Sequence, residues 1–312
     1  LRGNSAVNGT VYIEGSNTKI TNSTFVDNTA ANGAGAYVEG ENTQITDSEA
    51  SYNTAVCNGD PEHSGLGAGF HIIGDNAVFS NITSKNNTAD SEGGSVYVIG
   101  DNTLVEDSLF AYNTAPVGGA MSIDGSNAKF FNNTIINNTA VPNHVRDTDN
   151  SGGAIYISGH NTNFTSNIIS NNSAKDNGGA LYVDGSNTYF DNITADNNNA
   201  LNGGFAQLEG ATNLIVQNST FTNNHATGDS LEDNIGEGGA FHISNSQNAN
   251  IQGYFENNTA INGSAIYVEN SSLHIEDSAF FDNQAATHLL DIYPPDKTNF
   301  EPGDEMIITI SH

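Results

Sequence analysis

Eight aromatic side chains recur at one position of a repeating pattern: Tyr12, Tyr37, His71, Tyr97, Tyr156, Tyr182, His242 and Tyr267. Rings in a regular row can stack against sugar rings, so they are the first candidate ligand-binding residues. Aromatic residues are also good cross-strand partners in any sheet, which is an equally physical reason for the row. A second candidate is the run Asp147-Thr148-Asp149-Asn150-Ser151-Gly152. Asp147, Asp149 and Ser151 match the opening of a calcium loop, and a hard cation such as Ca2+ wants several oxygen ligands. The twelfth position of that loop, where a carboxylate is expected, is Ser158. His63, His144 and His225 show no transition-metal spacing.

Catalysis finds less support. A glycoside hydrolase needs two carboxylates at a set separation, and among 36 Asp and Glu nothing singles out a pair. Polysaccharide lyases lean on Arg or Lys as base and as clamp. The chain has two arginines, Arg2 and Arg146, and five scattered lysines. The sequence therefore predicts no enzyme. Thirteen N-x-[ST] triplets occur, among them Asn86, Asn137, Asn171 and Asn257, which are candidate glycosylation sites. A chain this rich in Asn and Thr also makes such triplets by composition alone.

The balance of 36 acidic against 7 basic residues gives a net charge near −29. That opposes binding to nucleic acid or to anionic lipid, both of which need a basic face. One cysteine, Cys57, leaves no internal disulfide to form. No apolar run approaches the ~20 residues needed to span a bilayer, so direct membrane insertion is not expected. Leu1 stands in mid-pattern, and the chain reads as a fragment of a longer exported, anchored protein.

The pattern itself is a repeat. Aligned on Gly-Gly, ten units start at positions 8, 33, 67, 93, 118, 152, 178, 203, 238 and 263. The basic unit is 25 residues, and every third unit carries about nine more, so a repeat of 85 residues is superimposed. The three insertions fall near Cys57–Gly65, Val141–Ser151 and Thr227–Glu237. All occupy the same turn, so they should emerge from one side, and loops on one face of a solenoid are its usual binding side. Idle insertion kept by gene duplication would look the same.

Within each unit, apolar residues alternate with polar ones, as in Val96, Val98 or Ile155, Ile157. Period two with one apolar face is a strand signal. Further apolar sites, such as Phe130 and Ile135, suggest about three short strands per unit. A 25-residue unit cannot bury its own apolar face, but stacked copies can. The predicted fold is all-β, a right-handed parallel β-helix of about ten coils over residues 1–287. Asn occupies one position in all ten units, from Asn28 to Asn283, with Ala two residues on. Stacked Asn side chains can bond along the axis as a ladder, and Asn also tolerates a left-handed turn.

GGA-[ILV] with F-x-x-N resembles the repeats of chlamydial polymorphic outer-membrane proteins. The Asn- and Thr-rich units FENNTA and GGAIYISGHN resemble still more the adhesin-like surface proteins of methanogenic archaea. The resemblance covers roughly residues 8 to 287. It implies a β-helix displayed outside the cell, attachment to a microbial or host cell-surface glycan or protein, and no catalytic residues. Residues 288–312 break the pattern: HLLDIYPPDK and EPGDEMIITIS read either as a C-terminal cap or as the start of an immunoglobulin-like domain. The functional expectation is a non-catalytic adhesin. A passive stalk and a polysaccharide-cleaving β-helix enzyme are the alternatives.

Overall fold

The computed structural model describes residues 1–60, 63–143, 150–228 and 236–286, with the backbones of the short strands Ile292–Tyr293 and Ile307–Ile308. Each repeat closes one coil. The first coil runs Val11–Glu14, Lys19–Thr21, Thr24–Val26 and Thr29–Ala30. Every strand pairs in parallel with its equivalent in the next coil: Tyr12 lies against Tyr37, and Tyr37 against His71. First strands build one long sheet, the Thr-Ala pairs a second, and the two middle strands a third face. The three strands expected from alternation are present. The fourth is the two-residue strand at the Ala column, too short to show a period. In four coils the middle strands join into eight residues, as in Val78–Lys85.

The apolar columns fill the interior. Phe130 stacks on Phe164 at 4.6 Å and Phe164 on Phe190 at 5.1 Å. Further along, Phe221, Phe255 and Phe280 stack in the same way. Ring spacing follows rung spacing, ~4.8 Å in any sheet, so identical residues in one column meet face to face. Each buried Phe contributes about 2–3 kcal/mol from lost water contact.

Two amide ladders stitch the turns. In the inner one, Asn113 Nδ2 donates to Asn138 Oδ1 at 3.0 Å, and Asn87 Nδ2 donates to Asn113 Oδ1 at 3.0 Å. The same Oδ1 accepts the backbone N–H of Asn87 at 3.1 Å. This ladder begins at Asn4, one rung before the repeat alignment, and reaches Asn283. The ladder residues do not themselves adopt the left-handed conformation. The residue before each one does: Asp27 at φ 55°, Asn86 at 54°, Asn137 at 56°. The outer ladder runs through the G-x-N turn, where Asn42 donates to Asn17, Asn76 to Asn42 and Asn102 to Asn76. Here the Asn carries both roles, at φ near 60°.

The Gly-Gly pairs mark the bend where coils approach most closely. Gly93 has φ +60°, and a Cβ on Gly94 would overlap the Gly119 carbonyl and the Thr114 backbone. At the C-terminal end, Ile292–Tyr293 pairs in parallel with Ile266–Tyr267, and Ile307–Ile308 with His274–Ile275. Both strands continue sheets of the last coil. The rest of the expected cap or domain entry, including His288, Pro294 and Pro295, lies outside the described residues.

Candidate functional site

The Tyr and His row stands on the outer face of the first sheet, opposite the core residues Ala36 and Val38. It does not offer its ring faces to solvent. Tyr37, His71, His242 and Tyr267 are buried, and only Tyr12 is open, at 44% exposure. Tyr97, Tyr156 and Tyr182 are half-buried. At ~4.8 Å per rung the rings take each other as partners. Tyr12 stacks on Tyr37 at 5.2 Å, and Tyr156 on Tyr182 at 5.0 Å. His71 lies edge-on between Tyr37 and Tyr97 at 4.5 and 5.0 Å, and His242 lies edge-on to Tyr267. Polar residues beside the row add cover. Ser122 in the same row donates to Glu92 Oε2, and Glu237 Oε2 lies 3.9 Å from His242 Nε2. Glu92 and Glu237 stand immediately before their Gly-Gly pairs. The sequence places this row on the outside correctly, but exposure depends on neighbours that no single repeat reveals.

Burial without partners sets the electrostatics here. Among the described residues neither ring nitrogen of His71 or His242 has a hydrogen-bond partner. Burial lowers their pKa values to about 3 and about 4. Burial also raises the Glu237 carboxyl to about 7; a hydrogen bond from Tyr267 opposes the rise and the charge of Glu269 adds to it. Glu237 therefore shares its proton with solvent near neutrality, beside an imidazole that stays uncharged. Tyr12 donates to Glu14 at 2.6 Å, and that bond raises the phenol to about 12. Tyr37 and Tyr182 similarly donate to Glu39 and Glu209.

The three insertions leave the coil at the same turn, after Thr54–Ala55, Thr139–Ala140 and His225–Ala226. Two of them converge. Cys57 N–H in the first insertion donates to Asp90 Oδ2 at 2.9 Å, and Asn143 Nδ2 in the second donates to the Asp90 carbonyl at 2.6 Å. The second insertion is anchored at its far end, where Asn150 donates to Asp176 Oδ2 through both its backbone and side-chain nitrogens. Asp147 and Asp149 of the candidate calcium loop lie outside the described residues. Ser151 is buried, and its carbonyl accepts the Gly118 N–H. Among the described residues no cluster of three or more His, Cys, Asp or Glu is arranged to hold a metal.

The four candidate glycosylation residues all occupy the left-handed slot before the inner ladder. Asn171 and Asn257 are exposed, while Asn86 and Asn137 are half-buried. Asn171 Oδ1 accepts from Asn197 Nδ2 at 2.7 Å. The slot faces outward in the other coils too, as the variable residues Asp27, Tyr52 and Tyr112 at it suggest from sequence, and two of its occupants are bulky. Tyr52 and Tyr112 stand there at φ 57° and 59°, with 59% and 56% exposure. A bulky residue in this conformation is an outlier that costs about 1–3 kcal/mol. The available signal was the column itself, which is Asn or Asp in the other eight coils.

A groove of ≈ 540 Å³ lies over the G-x-N turn, lined among others by Asp75, Asp101, Asp124, Asp184 and His160. Its polar groups hold the turn: Asp75 Oδ1 accepts the Asp101 N–H, Asp101 Oδ1 the Ser126 N–H, and His160 Nδ1 the Ser186 N–H.

Comparison with known proteins places the fold. The profile of the right-handed β-helix region matches residues 9–192, and that of the Chlamydia polymorphic membrane protein repeat matches residues 252–269. None of the curated proteins matches the chain. The surface protein and adhesin PfbA of Streptococcus pneumoniae is similar at 12% identity and TM-score 0.47, over 99% of this chain and 91% of that one. The Dettilon tailspike protein (gp208) is similar at 14% identity and TM-score 0.36, over 91% of this chain and 61% of that one. The first profile spans more than half of the chain, and the same coil continues beyond it through the Asn ladder to Asn283: the chain belongs to the right-handed β-helix family.

Proposed function

We propose that this β-helix is an extracellular, surface-displayed attachment module that binds cell-surface glycan or protein and performs no chemistry. The observation that carries this reading is Asp90, a coil residue that accepts hydrogen bonds from both the first and the second insertion. Both insertions are thereby tied to the same stretch of coil on one face, and loops held on one face of a solenoid are its usual binding side. The repeat shared with Chlamydia polymorphic membrane proteins supports a surface protein. The Asn- and Thr-rich units resemble those of adhesin-like surface proteins of methanogenic archaea, and we infer that the chain is one of that group.

The test is retention on whole microbial cells and on a polysaccharide panel, first with calcium and then with chelator. The comparison is a variant lacking residues 142–150. That deletion joins Val141 to Ser151 and restores the 25-residue spacing of an uninterrupted unit. Weakened retention on a folded variant supports the binding edge. Unchanged retention after removal of all three insertions points instead to a passive shaft. Turnover of a polysaccharide, abolished by one carboxylate-to-amide change, would replace both readings with an enzyme. Loss of retention with chelator would show that a cation takes part and point to the loop of Asp147, Asp149 and Ser151.

A further inference from the structure

We propose that Tyr52 and Tyr112, with Lys85 between them, form a platform for an uncharged oligosaccharide, a site that rests on and sharpens the attachment reading. The backbone fixes the arrangement. Tyr52 N–H donates to the Lys85 carbonyl, Asn86 N–H to the Ala111 carbonyl, and Tyr112 N–H to the Ile136 carbonyl. Tyr52, Asn86 and Tyr112 are therefore the same position on three successive rungs. At ~4.8 Å per rung the two backbone positions are about 10 Å apart, the interval at which every second ring of an extended pyranose chain falls.

Among the described residues the two tyrosine side chains have no ring or hydrogen-bond partner. They are the most exposed of the described aromatic residues, at 59% and 56%. Both hold a left-handed backbone that Asn or Asp would adopt more cheaply. Strain that the folded chain does not recover in packing belongs with sites that meet a ligand.

The residues between the rings are polar. Lys85 points outward by alternation with buried Ser84, and no acidic partner lies within ion-pair distance among the described residues. It is the only Lys or Arg between positions 20 and 128. Asn86 stands beside it, and Thr54, Thr88 and Thr114 stand in register two residues beyond the slot. Aromatic faces for sugar C–H groups, with donors and acceptors for hydroxyls, make a glycan platform. An uncharged glycan fits best, because a polyanion would approach a surface of net charge near −29, screened only beyond about 8 Å at physiological ionic strength.

Isothermal titration of the whole chain with cellohexaose, chitohexaose and an oligogalacturonate tests this. The variant pair is Tyr52→Asp with Tyr112→Asp, because Asp27 and Asp282 already occupy the same slot. That pair should melt no lower than the wild type. We expect the wild type to bind a neutral hexasaccharide. Each ring lost should weaken binding roughly two- to tenfold, and Tyr52→Phe with Tyr112→Phe should retain it. Equal binding by the Asp variant overturns the platform, as does binding of the oligogalacturonate alone. A wild type that holds whole cells but neither neutral sugar overturns the platform and leaves attachment standing. A wild type that holds neither cells nor sugars defeats both.

Discussion

Asn113 is held on both sides, and its loss should be felt on both. Asn113→Ala would strip Asn87 of the acceptor for its side-chain and backbone nitrogens, and Asn138 of a donor. With unsatisfied buried groups at about 1–3 kcal/mol each, the variant should lose about 3 kcal/mol, read as a lower urea midpoint. The histidines of the outer row give a pH dependence. Their folded pKa values, about 3 for His71 and about 4 for His242, lie below the ~6.5 of the unfolded chain. Acidification below pH 6.5 loads protons on the unfolded chain only, so stability falls. Glu237 works the other way: its raised pKa of about 7 contributes stability at low pH that is lost as pH rises through 7. Replacing both histidines with Tyr, the residue of neighbouring coils, should remove about 2 kcal/mol of acid loss per histidine between pH 6.5 and 5. Thermal melts at the two pH values measure it. At this scale the Asn and Ala columns were legible, because each residue type is forced by its own rung. The cover that Glu237 gives His242 and the strain at Tyr52 were not. The first depends on flanking residues from other parts of the coil, and the second on which of two adjacent turn residues takes the left-handed conformation.

The strands were legible where they alternate. Val96 and Val98 announce their sheet, whereas Thr114–Ala115 has no room for a period, so the fourth strand went unread. The Gly-Gly bend was legible as a clash site, and its geometry makes a sharp prediction. Gly94→Ala would drive a methyl into the Gly119 carbonyl and the Thr114 backbone, neither of which can yield without moving a coil. The loss should exceed about 4 kcal/mol, and circular dichroism during urea titration should show it. The meeting of two insertions at Asp90 lies beyond any strand pattern. Asn143 and Asp90 are 53 residues apart and join through loop conformation alone.

The molecule as a whole is a stack whose backbone hydrogen bonds between coils all run along one axis. Ten coils at ~4.8 Å make a shaft of about 48 Å. Pulled along its length, such a shaft is not sheared. Load concentrates on the outermost rung, which peels while the rungs beneath stay paired. Each 25-residue coil released pays out about 85 Å of chain at ~3.4 Å per residue, and each 34-residue coil about 115 Å. Optical-trap extension should therefore show a staircase of small yields with every third step longer; one all-or-none rupture would contradict it. Under the attachment role proposed above, this behaviour would act as a drag brake: a sudden tug is absorbed by lengthening, and the remaining coils keep their shape until it passes.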